Sequence, residues 1–385
     1  MTTETAVSAT TAYTTLTAPP DATVRAAAAD ARSVPQRVEL FRSAVSGHTD
    51  WLLLRLTDPD GVTGWGECSD AGPLGVVLER LGEISERPLD PREFTSRAVL
   101  GGLAQARADQ AARRAGQPLW QYLGGTAARP VELYANLNRA AGGRAPAVLA
   151  ARAAAALRAG FRAVKLAPFD SPGGDRLAHL GLARVGAVRE AVGASAEVLV
   201  DCRRRLPLAE LTRLLDVFAR LRVGWLEEGA GIERPAELAA LRAATAIPLA
   251  GGECASRPEQ LAAVDGLLDV VTLDARLPGG PAAALALAAA ARPARVSLHN
   301  PGGPVATLHN AHLATLLPAE PLEYGFGEVP WRAELLGGAE RIDAGRLTLP
   351  EGPGLGAEPD LRHPSVTPLW HGSVELTESC RPSGY

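Results

Sequence analysis

EVLVDCRRRL (197–206), VGWLEEGAG (223–231) and IPLAGGECAS (247–256) decide the fold. Each begins with a short apolar run that reads as a buried strand. Each then presents an acid, at positions 201, 227 and 253, so the spacing is 26 both times. A segment with helical periodicity follows each one. A repeat of strand, acid and helix sets the acid at the C-terminal end of a barrel strand, the face where barrel enzymes keep their chemistry. Asp201, Glu227 and Glu253 are therefore candidate metal ligands. Three carboxylates with no His or Cys in equivalent positions describe a hard oxygen site for Mg²⁺ or Mn²⁺. Read singly, any of the three is a helix cap or a surface charge; the equal spacing argues for a common purpose.

The same alternation extends in both directions. VELYANLNR (131–139) gives a first strand ending near Asn136, and FRAVKLAPFD (161–170) a second, with Lys165 near its end. LLDVVTLD (267–274), ARVSLH (294–299) and PLEYGF (321–326) give the sixth, seventh and eighth. Helical segments such as LAELTRLLDVFARL (208–221) separate them. Strand and helix in strict alternation imply an α/β fold with a parallel sheet closed as a TIM barrel. The expected boundaries are a loose tail over 1–22, an α+β domain over 23–127, the barrel over 128–325 and a closing segment over 326–385. Within the first domain, VELFRSAV, DWLLLRLTD and VTGWGEC read as antiparallel strands with a hairpin at Asp60-Gly61. GLAQARADQAARRAGQPLWQYLGG (102–125) reads as a helix that stops at Gly116.

Composition narrows the function. A length of 385 residues suits a barrel plus a second domain, and 46% apolar residues suffice for a large core. A net charge of −4 argues against a nucleic-acid partner. The first 20 residues are polar and Thr-rich without a basic start, and AAALALAAAA (282–291) is far too short to span a bilayer. These features read as a soluble, cytoplasmic protein. The four cysteines show no CxxC spacing; Cys202 and Cys254, each just after a candidate ligand, are expected to face away from the barrel interior as small apolar filler. Of the 39 basic residues only Lys165 is a lysine. Lysine in a background of arginine marks a position where a compact cation is needed and a planar guanidinium fails.

Two further strand ends carry chemistry. Asp274 closes the sixth strand and His299 the seventh, and adjacent strands lie about 5 Å apart. A carboxylate beside an imidazole holds its tautomer and raises its pKa, which makes a general base. Glu323 on the eighth strand is placed to donate, if protonated, to an oxygen that gains charge. Arg203, two residues beyond Asp201, is expected in the same pocket as a clamp for a carboxylate, and Arg139 is a second clamp. Asn136 joins them as a candidate substrate-binding residue. His179, His309 and His312 fall on helices and read as core or surface residues.

Together these residues resemble the enolase superfamily, and within it the mandelate racemase/muconate lactonizing enzyme family. The likeness runs from about residue 35 to 360 and takes in GQPLWQYLGG (116–125), the three ligands, the Asp274–His299 pair, Glu323 and RIDAGRLTLPEGPGLG (341–356). It implies a (β/α)₇β barrel preceded by an α+β capping domain that the C-terminal segment completes. It also implies Mg²⁺, abstraction of the proton α to a carboxylate through an enediolate, and a homo-oligomer, dimer or octamer. The chain departs from the family at three places. Lys-x-Lys is Lys165-Leu166-Ala167, so the second base of the racemases is missing. Asp-x-His is Asp201-Cys202-Arg203, so the acid of many sugar-acid dehydratases is missing. Glu-Glu-Pro is Glu227-Glu228-Gly229. The reading that results is dehydration of a 2-hydroxy or sugar acid with His299 as the single base. The alternatives are a one-base epimerase, racemase or other lyase on a dianionic carboxylate, and a barrel that binds without turnover.

Overall fold

The computed structural model describes residues 35–46, 49–170 and 176–375. The expected tail over 1–22 and Cys380 lie outside the described residues. The capping domain begins with β1 (Pro35–Ala44), β2 (Asp50–Thr57) and β3 (Thr63–Glu67), then α1 (Leu74–Glu83), α2 (Phe94–Arg114) and the short α3 (Leu119–Tyr122). The three strands form the expected antiparallel meander, with Leu54 opposite both Leu40 and Gly66. Helix α2 starts eight residues earlier than its Gly-terminated sequence pattern suggests, because Thr95, Ser96, Ala98 and Val99 continue the same buried face. It lies almost against β3: a Cβ on Gly66 would stand 1.9 Å from the carbonyl oxygen of Gly102, so only glycine permits the approach.

The barrel follows as β4 (Val131–Asn136), α4 (Pro146–Arg158), β5 (Ala163–Leu166), α5 (Leu177–Val192), β6 (Glu197–Asp201), α6 (Leu208–Arg220), β7 (Val223–Glu227) and α7 (Pro235–Ala244). It continues with β8 (Leu249–Gly251), α8 (Pro258–Ala262), β9 (Val270–Asp274), α9 (Pro281–Ala290), β10 (Arg295–His299), α10 (Pro304–Ala314) and β11 (Leu322–Gly325). The strands from β4 to β10 are parallel neighbours in sequence order, and β11 returns to pair with β4. The backbone N–H of Glu320 donates to Val296 at 2.8 Å and draws the β11 side onto β10. This is the (β/α)₇β barrel the sequence predicted.

Helix α6 shows why the helices lie where they do. Its buried residues Leu211, Leu214, Leu215 and Phe218 fall at i, i+3, i+4 and i+7, one stripe facing the strands. Inside the barrel, Tyr134, Ala163, Leu199, Trp225, Ala250 and Val270 form a separate cluster. Tyr134 and Trp225 meet edge to face at 5.7 Å. They plug the barrel's lower half and leave its upper mouth to the polar strand ends.

After the barrel, β12 (Arg341–Asp343) and β13 (Arg346–Thr348) make a hairpin whose second strand pairs antiparallel with β4. Then β14 (Val366–Glu375) crosses to the cap and pairs with β1, giving the sheet order β14-β1-β2-β3. The segment after residue 325 thus contacts the barrel first and the cap second. Among the described residues no helix is long and apolar enough to cross a membrane.

Candidate active site

The strand register gathers the predicted residues at one end of the barrel. Asn136 pairs with Lys165, Asp201 with Glu227, and Asp274 with His299. Lys165, 1% exposed, sits between two carboxylates, 3.0 Å from Glu227 Oε1 and 3.1 Å from Glu323 Oε2. Its ammonium lies 5.4 Å above the Tyr134 ring. Burial alone would discharge it, but the charges of Glu227 and Glu323 outweigh burial and hold its pKa well above the usual range.

Asp274 and His299 meet as expected, with Nδ1 3.3 Å from Oδ2. On the other side of the ring, Nε2 lies 3.4 Å from Glu253. Burial would lower the imidazole pKa; the bond to Asp274 and the charges of Glu323 and Glu253 overcome it and push the value up to about 10. As the residues stand, His299 is an imidazolium at neutral pH. Glu323 does not meet the condition under which it would donate. Burial favours the acid, but Lys165 and His299 hold its pKa at about 2, so it is a carboxylate and accepts only. It takes hydrogen bonds from Asn136 Nδ2 and, at 3.2 Å, from the Asn300 N–H.

The three candidate ligands line the same rim. Asp201 is buried and its Oδ1 accepts the Arg203 N–H at 2.9 Å. Glu227 is fully buried and accepts the Trp225 indole N–H at 3.2 Å as well as Lys165. Glu253 lies two residues past the end of β8 and is partly open to solvent. Burial pushes both Asp201 and Glu227 up to about 7, against the opposing pull of Lys165. Among the described residues no three His, Cys, Asp or Glu side chains already converge into one cage, since Glu227 is drawn to Lys165 and Glu253 to His299. The donor set still fits a hard divalent cation. It offers only carboxylate oxygens, and burial raises the pKa of two of them, a penalty that a bound cation would offset.

The two predicted clamps are each engaged with an acid outside the proposed site. Arg203 has φ +47°, so alternation ends at Asp201; its Nη1 binds Asp170 at 3.1 Å and its side chain is half exposed. Arg139 donates to Glu328 at 3.1 Å, within a chain that continues through Arg332 to Glu340. Cys202 is buried core as expected, whereas Cys254 is only partly covered, because Gly252 at φ +95° breaks the strand before it. His309 and His312 are core: His309 Nε2 bonds the Trp65 carbonyl at 2.8 Å, and His312 Nδ1 accepts the Trp120 N–H at 3.2 Å.

Three residues at the site were missed. Glu228 is buried, accepts the Gly252 N–H at 2.9 Å and faces Arg204 at 3.2 Å; burial lifts its pKa to about 7. Arg276 grips Asp274 with Nε at 2.9 Å and Nη2 at 2.6 Å. Glu67, from the cap, is fully buried against the N-terminus of α10. Only Arg276 left a local sign, as Asp274-Ala275-Arg276.

Comparison with known proteins gives the family. Residues 148–363 match the family model described as "Enolase C-terminal domain-like". The chain belongs to the enolase superfamily, in the mandelate racemase/muconate lactonizing enzyme family. It is an enzyme of that superfamily, similar to curated dehydratases. A D-gluconate dehydratase from Thermoproteus tenax is 31% identical over 335 residues, covering 79% of this chain and 67% of the relative. A D-xylonate dehydratase from Haloferax volcanii is 26% identical, covering 82% of this chain and 85% of its own length. The crystal structure of a mandelate racemase/muconate lactonizing enzyme from Jannaschia sp. CCS1 superposes with a TM-score of 0.71 at 25% identity, over 84% of this chain and 94% of that one.

Proposed function

We propose that this enzyme dehydrates a sugar acid or related 2-hydroxy acid, with Mg²⁺ held by Asp201, Glu227 and Glu253 and with His299 as the base, oriented by Asp274. The observation that carries the reading is the position of His299. Its two ring nitrogens lie 3.3 Å from Asp274 and 3.4 Å from Glu253, so base, orienter and a ligand carboxylate share one contact set. The dehydratase names of the relatives support the reaction class.

The α-proton of a carboxylate is very weakly acidic, because its removal puts a second negative charge on the same group. A divalent cation at the three acids supplies the opposing charge. The other steps belong to the chain's own residues. A base must be neutral, and His299 is held protonated in part by the charge of Glu253. With Glu253 holding the cation, its charge would bear less on the imidazole and would favour the neutral base, with Asp274 still fixing the ring. Neutral His299 then takes the α-proton, the bond from the β-carbon to its hydroxyl breaks, and the new imidazolium returns that proton to the departing hydroxide. One acid–base residue therefore serves both ends of the elimination. The enol left behind rearranges to a 2-keto acid; the net change is loss of one water, with no oxidant or reductant. Lys165 keeps a fixed positive charge beside the substrate carboxylate. Asn136 steadies Glu323, and the half-exposed Arg203 meets the incoming anion from the rim.

The test is product mass. The chain with Mg²⁺ and D-gluconate, D-xylonate or D-galactonate in D₂O is expected to yield a product lighter by one water and carrying solvent deuterium. Deuterium gain without water loss would instead mark an epimerase. Turnover that survives His299→Asn would rule out the assigned base.

A further inference from the structure

Two buried charged side chains cross between the cap and the barrel, and both meet the same short cap segment, Glu67–Ser69. From the barrel side comes Arg276, 3% exposed and two residues beyond β9. Its Nε and Nη2 bind opposite oxygens of Asp274 at 2.9 and 2.6 Å, and its backbone N–H donates to Oδ1 at 3.0 Å. The remaining nitrogen, Nη1, donates to the Ser69 carbonyl of the cap. From the cap side comes Glu67, which accepts the N–H groups of Gly303 and, at 2.8 Å, of Ala306. These residues open α10, the helix that follows His299. Ser69 Oγ joins the two halves by donating to Glu67 at 2.5 Å.

The packing leaves no room for sliding. A Cβ on Gly101 of α2 would stand 2.1 Å from the Arg276 carbonyl oxygen, and one on Gly302 would stand 2.8 Å from Glu67 Oε1. Asp274 is also held more closely by Arg276, at 2.6 Å, than by His299, at 3.3 Å. The carboxylate's direction is therefore set by the arginine, and the arginine's by the cap.

We infer that Arg276 and Glu67 are positioning residues for the Asp274–His299 pair, so that the seating of cap segment Glu67–Ser69 on the barrel sets the alignment of the base. Neither residue touches substrate; each acts through the dyad, one from each strand end. The inference rests on the proposed role of that dyad, but its test reads the dyad's geometry without turnover.

The experiment is proton NMR of the full chain carrying isotope-labelled histidine. His299 is one of seven histidines, and its Nδ1–H signal is assigned by its loss in His299→Gln. Arg276→Met is expected to move or broaden that signal while the signals of the buried His309 and His312 stay in place as a control for folding. With an active substrate in hand, kcat falls about 10–100-fold, the usual cost of losing an orienting partner, and KM holds. An unmoved His299 signal in a folded Arg276→Met protein overturns the inference. If that variant does not fold, Glu67→Gln gives the same reading from the other strand: a shifted His299 signal supports the coupling and an unshifted one overturns it. Failure of every sugar acid to react would sink the proposed function and leave this measurement intact.

Discussion

Lys165 occupies a place that an arginine could not fill. A single ammonium nitrogen reaches Glu227 and Glu323 at 3.0 and 3.1 Å, and the Tyr134 ring closes the space beneath. A planar guanidinium is longer and forked, and would push the two acids apart. Lys165→Arg is therefore expected to fold but to lose about 10²–10³ in kcat, the typical cost of one misplaced electrostatic donor, as steady-state kinetics would measure. Lys165→Met removes the charge altogether and leaves two buried acids facing each other. Urea denaturation should show a loss of about 3–5 kcal/mol, as for other broken buried pairs, unless the medium is acidic enough to protonate them. The chain's only lysine was legible as special from composition alone. That Glu323 is ionised was not, because its state depends on Lys165 and His299, which approach it only in the folded barrel.

At the scale of elements, the apolar runs ending in acids placed the strands well, since a buried parallel strand needs little beyond a short hydrophobic run. Loop geometry was less legible. Nothing in Arg203-Arg204-Arg205 signals that the first two adopt positive φ, and that turn sends Arg203 to Asp170. Helix α6 offers a direct packing test: Phe218→Ala removes a fully buried ring and should cost about 3–5 kcal/mol in chemical denaturation. Helix α10 offers a pH test. Burial lowers the His309 pKa to about 3 and that of His312 to about 4, whereas an unfolded histidine titrates near 6.5. Both are neutral in the folded state. Their contribution is full above pH 6.5 and falls as acid protonates the unfolded chain first. At pH 5 this amounts to roughly 2 kcal/mol per histidine. The raised carboxyls of Asp201, Glu227 and Glu228 act in the opposite sense, so the histidine effect is read by difference: from pH 7 to pH 5 the natural chain should lose stability relative to a His309→Gln, His312→Gln double variant, measured by chemical denaturation.

Taken whole, the molecule is a barrel whose open end is finished by a domain encoded before it and a strand encoded after it. The strand-end residues could be read from the sequence because each announces itself within its own repeat. The contacts that join cap to barrel could not: Arg276 meets Ser69 across 207 residues and Glu67 meets Ala306 across 239, and no local pattern records either pairing. The missing Lys-x-Lys and Asp-x-His partners were visible, and with them the prospect that one histidine handles both proton transfers.

The claim on which the rest depends is that Asp201, Glu227 and Glu253 form one divalent-metal site. Calorimetric titration of Mg²⁺ into the purified chain, beside an Asp201→Ala, Glu227→Ala, Glu253→Ala triple variant, tests it most directly. The account predicts saturable binding near one equivalent in the natural chain and none in the variant. Equal heats from both proteins would contradict it.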